Sequence, residues 1–212
     1  RRNQSEFERI AQYIQKTGLA KKGNYMVFFP SYRYMEAVEQ LLDERYDGSF
    51  RWQMQTSRMT EKEREKFLEL FEEKREQSFV GLCVLGGIFS EGIDLKAERL
   101  EGAIIVGTGL PMVCSEQEIL MQYFDDHGKN GYDYAYQYPG MNKVLQAAGR
   151  VIRTAEDRGV ILLLDDRFLR REIQELFPRE WTEYGLVTRE TVDGWLRNFW
   201  EKVKKGDATA SP

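Results

Sequence analysis

Short apolar runs alternate with longer amphipathic stretches along most of the chain, and this alternation most constrains the fold. Asn24–Phe29, Phe50–Met54, Phe79–Leu85, Ala103–Val106 and Gly159–Leu164 read as strands. Between them, apolar residues recur at helical spacing. Phe7, Ile10, Ala11 and Ile14 predict a helix over Gln4–Thr17, with Gly18 as its stop, and Met35, Val38, Leu41, Leu42 and Tyr46 a second. Thr60-Glu-Lys-Glu63 and Ser115-Glu-Gln-Glu118 each match a capping box at the start of a further helix. A helix is expected from Pro139 to about Thr154, and a last one after Thr188-Arg-Glu-Thr191, carrying Val192, Trp195, Leu196, Phe199 and Trp200. The polar, tyrosine-rich stretch Asp125–Tyr138 reads as an ordered loop. Strands that lack polar alternation are buried on both faces, so the pattern predicts an α/β fold: an open, mostly parallel sheet with helices on both faces. One domain over 1–205 with a frayed tail over 206–212 accounts for the 212 residues.

Ligands in such sheets bind at the carboxyl ends of the strands. Attention therefore falls on the loops after Phe29, Leu85, Val106 and Leu164. The strongest pattern is Gln146-Ala-Ala-Gly149-Arg150-Val-Ile-Arg153. On a helix at about 100° per residue, Gln146, Arg150 and Arg153 share one face, and Val144, Ala148 and Val151 take the opposite one. Two guanidiniums one turn apart suit a polyphosphate, supplying fixed charge and forked donors where oxygens gain charge during phosphoryl transfer. Gly149 beside them, unfavourable in a helix interior, leaves room for another surface. The plain alternative is a solvent-exposed Gln/Arg face.

The second pattern is Gly86-Gly87-Ile-Phe-Ser90-Glu91-Gly92-Ile-Asp94, directly after a buried strand. Its backbone N–H groups can cradle phosphate, and Ser90 offers a hydroxyl. Glu91 and Asp94 would repel phosphate and better suit ribose hydroxyls or an arginine of the same site. The plain alternative is a tight turn with a capping Asp. The third is Phe29-Pro30-Ser31-Tyr32: a hydroxyl at a strand end, with Tyr32 and Arg33 able to stack on or pair with a nucleic-acid strand. The plain alternative here is a strand-to-helix cap. Asp165-Asp166, after the last strand, reads as a cap.

Several classes are excluded. With 31 Lys+Arg against 35 Asp+Glu and a net charge of −4, the chain is no uniformly basic nucleic-acid coat, although a local basic groove stays open. Two cysteines, Cys83 and Cys114, cannot make a disulfide scaffold or a cysteine-only metal site, and Cys83 in its apolar run reads as a small buried hydrophobe. One histidine, His127, argues against a His-rich metal site. No apolar run is long enough to span a bilayer and no secretory leader is visible, so a cytoplasmic location is expected. No Gly-x-x-x-x-Gly-Lys-Ser/Thr motif is present, so nothing here wraps β- and γ-phosphates in the P-loop manner.

In their order and spacing these segments resemble the second motor domain of superfamily 2 helicases, and more closely the XPD/DinG family of DNA helicases. Phe28-Phe29-Pro30-Ser31-Tyr32 is similar to helicase motif IV. Ser90-Glu91-Gly92-Ile93-Asp94, with Ile105 through Pro111, is similar to motif V and its following strand. Gln146 through Arg153, with Asp157-Arg158-Gly159-Val160, is similar to motif VI. The resemblance implies a RecA-like domain that lacks its own P-loop. It implies Arg153 as arginine finger, with Arg150 and Gln146 in the same catalytic site. It implies Glu91, Gly92, Asp94 and Gly149 on the nucleotide side, and Ser31, Tyr32, Arg33 and Ser90 on single-stranded DNA. It implies ATP with Mg²⁺ bound mainly by an N-terminal RecA-like half, any iron–sulfur cluster lying outside this chain, 5′-to-3′ movement, and work in DNA repair or replication. The alternatives are a single-stranded nucleic-acid binding module without ATPase activity and half of an RNA helicase.

Overall fold

The structure, a computed structural model, describes residues 4–46, 48–72, 76–90, 100–152, 157–181 and 184–205. The order of elements is α1 (Gln4–Ala20), β1 (Asn24–Phe29), α2 (Tyr32–Tyr46), β2 (Arg51–Met54), α3 (Glu61–Glu72), β3 (Phe79–Val84), β4 (Leu100–Val106) and α4 (Ser115–Asp126). A π-helical segment (Asp133–Gln137) leads into α5 (Tyr138–Ala148). Then come β5 (Val160–Leu164), a 3₁₀ turn (Asp166–Leu169), α6 (Arg171–Gln174) and α7 (Val192–Lys205). The tail expected over 206–212 lies outside the described residues.

All five strands are parallel, in the order β2-β3-β1-β4-β5. Register lines their side chains into rows that run across the sheet. Leu82, Val27, Ile104 and Leu162 stand opposite one another and face the layer built by α1, α2 and α7. One residue further on, Cys83, Phe28, Ile105 and Leu163 face the layer that contains α3, α5 and α6. Period-two geometry sends neighbours to opposite faces, so a strand apolar at every position feeds two cores. Cys83 is fully buried, and desolvation pushes its thiol pKa up, as suits a packing residue.

The helices follow the sequence signals with four differences. α1 runs on to Ala20; Gly18 lies inside it, buried and facing Phe50 and Val80, where even a Cβ would find ordinary contact distances. The Thr60 capping box forms, with the Thr60 N–H donating to Glu63 Oε2 at 2.7 Å and the Glu63 N–H to Thr60 Oγ1 at 3.3 Å. The Ser115 box does not: Ser115 is already helical, and Cys114 stands at the cap without a side-chain bond. Residues 125–138 are not a loop, because α4 continues through Asp126 and helical structure resumes at 131. Stacked rings (Phe124 on Tyr134, Tyr132 on Tyr136) hold that turn together. Finally, α5 stops at Ala148 and not near Thr154. No helix among the described residues is long and apolar enough to cross a membrane.

Candidate functional site

Parallel strands bring all five exits to one edge of the sheet. After β1 the chain turns toward the β2 edge, and after β4 toward the β5 edge, so the exits of these two neighbours diverge and leave a crevice. Ser31 lies at the β1 exit. Its Oγ accepts the Tyr34 N–H at 3.3 Å and its carbonyl the Met35 N–H at 3.0 Å, which caps α2. The hydroxyl gives up a lone pair to the cap and keeps its proton to donate. Tyr32 is half-buried and Arg33 exposed. Capping and a hydroxyl proton free of the cap bond thus coexist at Ser31.

The β3 exit is a tight double turn. The Leu85 N–H donates to Phe29 O at 2.8 Å, which seats this turn against the β1 exit. Gly86 has a φ of +72°, open to glycine at little steric penalty. The Gly87 N–H is bound to Val84 O and the Ser90 N–H to Gly87 O, each at 3.0 Å. Ser90 is fully buried, and its hydroxyl donates to Gly87 O at 2.8 Å. The outward hydroxyl expected of Ser90 is therefore not presented; the hydroxyl braces the turn instead. Glu91, Gly92 and Asp94 lie outside the described residues.

What Ser90 does present is its carbonyl. Arg150 Nη2 donates to it at 3.0 Å across 60 positions of sequence. This bond joins the turn after β3 to the end of α5. It also revises the helical face expected of Gln146, Arg150 and Arg153. Val144, Ala148 and Val151 are buried as expected, but Arg150 lies beyond the last residue of α5, so a helical wheel does not place it. Gly149 is the helix C-cap with a right-handed φ of −63°, not an interior residue, so its expected penalty does not arise. Gln146, on the last turn of α5, is exposed. Arg153 lies outside the described residues.

Other residues at this edge escape the sequence reading. Lys143 precedes Gln146 by one turn, and its stem crosses the β3 turn; a Cβ on Gly86 would come 2.8 Å from Lys143 Cδ. Gly109 (φ +67°) and Gly140 bring the β4 exit against α5, and a Cβ on Gly140 would stand 2.6 Å from Thr108 O. Thr108 Oγ1 is buried with no hydrogen-bond partner among the described residues. Gln55, at the β2 exit, is buried, and its amide reaches both the β1 and β3 exits. The signal for Gln55 was present, because it directly follows the strand candidate Phe50–Met54. Asp165 caps the 3₁₀ turn as expected, accepting the Arg167 N–H at 2.9 Å.

The sequence profile of the family described as "Helicase C-terminal domain" matches residues 14–184. The chain belongs to the helicase C-terminal domain family. Similar relatives include the regulator of telomere elongation helicase 1 homolog of Caenorhabditis elegans, 32% identical over 53% of this chain and 12% of that protein. The ATP-dependent DNA helicase XPD of Sulfolobus acidocaldarius is 26% identical over 79% of this chain and 29% of its own length. The helicase domain thus spans less than a third of either relative. A solved structure titled XPD_Helicase superposes with a TM-score of 0.67 at 24% identity, covering 82% of this chain and 30% of that one. The RecA-like fold and the XPD-like resemblance expected from the motifs both hold for this helicase domain. Among its described residues no group of three or more His, Cys, Asp or Glu could hold a metal ion.

Proposed function

We propose that this helicase domain is the second motor half of an ATP-dependent DNA helicase, working against an N-terminal RecA-like half of the same protein. One observation carries the reading: the Arg150–Ser90 contact at 3.0 Å, which fastens the arginine-bearing end of α5 to the turn after β3 at the carboxyl edge of the sheet. An arginine committed to bracing cannot also swing freely onto a phosphate. The finger role therefore falls to Arg153, and the amide of Gln146, exposed on the last turn of α5, serves the same nucleotide. Guanidinium and amide donors fit the oxygens of a polyphosphate. Mg²⁺ and most of the nucleotide then belong to the other half, and ATP bound between the halves supplies the energy of phosphoryl transfer. On the other side of the same turns, Ser31 donates its hydroxyl to a DNA phosphate, and Arg33 and Tyr32 flank it. Closure on nucleotide changes the grip on DNA because contacts to the phosphates exist only in the closed state.

The test is ATPase turnover of the full-length protein with and without single-stranded DNA. Stimulation by DNA is expected, and Arg153→Ala should lower turnover by about 10³-fold or more, as loss of an arginine finger does. Turnover close to wild type in Arg153→Ala would remove that residue from the role. Single-strand binding without any turnover would identify a binding module, and stimulation by RNA alone would identify an RNA motor. Unwinding of duplexes with either a 5′ or a 3′ overhang decides direction, for which 5′-to-3′ is expected.

A further inference from the structure

Gln55 is 2% exposed, a long amide buried where a strand ends. Its backbone N–H donates to Leu82 O at 2.8 Å, the last rung between β2 and β3. From that anchor the side chain reaches in two directions. Oε1 accepts the N–H of Val84 at 3.0 Å, the final residue of β3. Nε2 donates to Tyr32 Oη at 2.7 Å, the first residue of α2. A Cβ on Gly87 would come within 3.6 Å of the same Nε2, so the amide also lies against the glycine turn. Burying a primary amide is unfavourable unless its groups are satisfied. Here its two ends are satisfied by two different strand exits.

The two exits serve different parts of the proposed site. The turn from Val84 to Ser90 ends at the carbonyl that holds Arg150, and the turn from Pro30 to Arg33 carries the DNA contacts. We propose that Gln55 is a positioning residue that couples the two, so that a shift of one turn is passed to the other through one rigid amide. The proposal rests on the helicase reading and adds to it the residue through which nucleotide state and DNA grip communicate. Gln55 touches neither ligand.

The test is a coupling ratio in the full-length protein. Affinity for a fluorescent oligo-dT is measured with Mg²⁺ in the presence and absence of a non-hydrolysable ATP analogue, beside the melting temperature. Gln55→Leu should bring the ratio of the two affinities to within about twofold of one. Tyr32→Phe removes the same hydrogen bond, and the long 3.4 Å one that its hydroxyl donates to Thr56 O, while keeping the ring and the Gln55–Val84 bond. It should do likewise, and the double variant should go no further. Gln55→Glu keeps an oxygen for the Val84 N–H and accepts the Tyr32 hydroxyl in reverse, so it should restore most of the wild-type ratio. A Gln55 with only a structural role would lower the melting temperature and the active fraction, yet leave the ratio per active molecule unchanged in Gln55→Leu and Tyr32→Phe. That result overturns the proposal. A wild-type ratio of one overturns the helicase reading together with it, whereas a wild-type ratio far from one that both variants preserve overturns the coupling role alone.

Discussion

Asp165 accepts three hydrogen bonds from Arg167: from its backbone N–H at 2.9 Å, from Nε at 2.8 Å and from Nη2 at 2.7 Å. Burial works to raise the carboxyl pKa, but the Arg167 bonds outweigh it and hold the group below the ordinary carboxylate range. A folded pKa below the unfolded one adds stability above about pH 4, and that stability is lost as pH falls through the folded value. Asp165→Asn should therefore lower the melting temperature at pH 7 by about 2–4 °C, the shift for roughly 1 kcal/mol in a domain of this size. The gap from wild type should close below about pH 4; a gap that stays constant in acid would discount the ion pair. Gly140 is tighter still. The backbone of Thr108 stands 2.6 Å from where its Cβ would be, and backbone cannot yield as a side chain does. Gly140→Ala should be destabilising by about 1–3 kcal/mol, read as a denaturation midpoint. Cap residues such as Ser31 and Asp165 were legible because their chemistry is local. Gly140 was not, because its constraint comes from Thr108, 32 residues earlier along the chain.

Elements were legible in proportion to their burial. The strands stand where apolar runs placed them, with β4 starting earlier, at Leu100. α4 shows the limit. Ile119, Leu120, Tyr123 and Phe124 recur at helical spacing and a helix forms, yet no residue of α4 is buried, and Ile119 is 70% exposed. Periodicity reports that a helix has a face, not what lies against it. Ile119→Ser should thus change stability by no more than about 0.5 kcal/mol. Ile104→Ala, fully buried at the sheet centre, should be destabilising by about 2–5 kcal/mol. Equal losses would mean that α4 packs inward in solution. α5 shows a second limit, since the wheel over Gln146–Arg153 assumed a helix that ends at Ala148. The Arg150–Ser90 bond is a tertiary fact, invisible to any single-helix pattern.

For the molecule as a whole, the alternation of runs and helices was enough for a parallel sheet layered on both faces, but not for the strand order that seats the β1 exit between those of β3 and β4. That order gathers Ser31, Gln55, Ser90 and Arg150 on one edge. On the proposed reading the site is a half-site, so the isolated chain should show no ATP hydrolysis above background in a phosphate-release assay; steady turnover by it would contradict that division of labour. The π segment sets the geometry beyond this edge. The Tyr138 N–H reaches back five residues to Asp133 O, so one turn holds an extra residue. Each residue advances a helix by about 100°, so a deletion or insertion between 133 and 137 is a change of azimuth more than of length. It would turn Tyr134, and with it the Phe124 ring of α4 stacked on it, relative to Gln146 and Arg150, which lie downstream of the π turn.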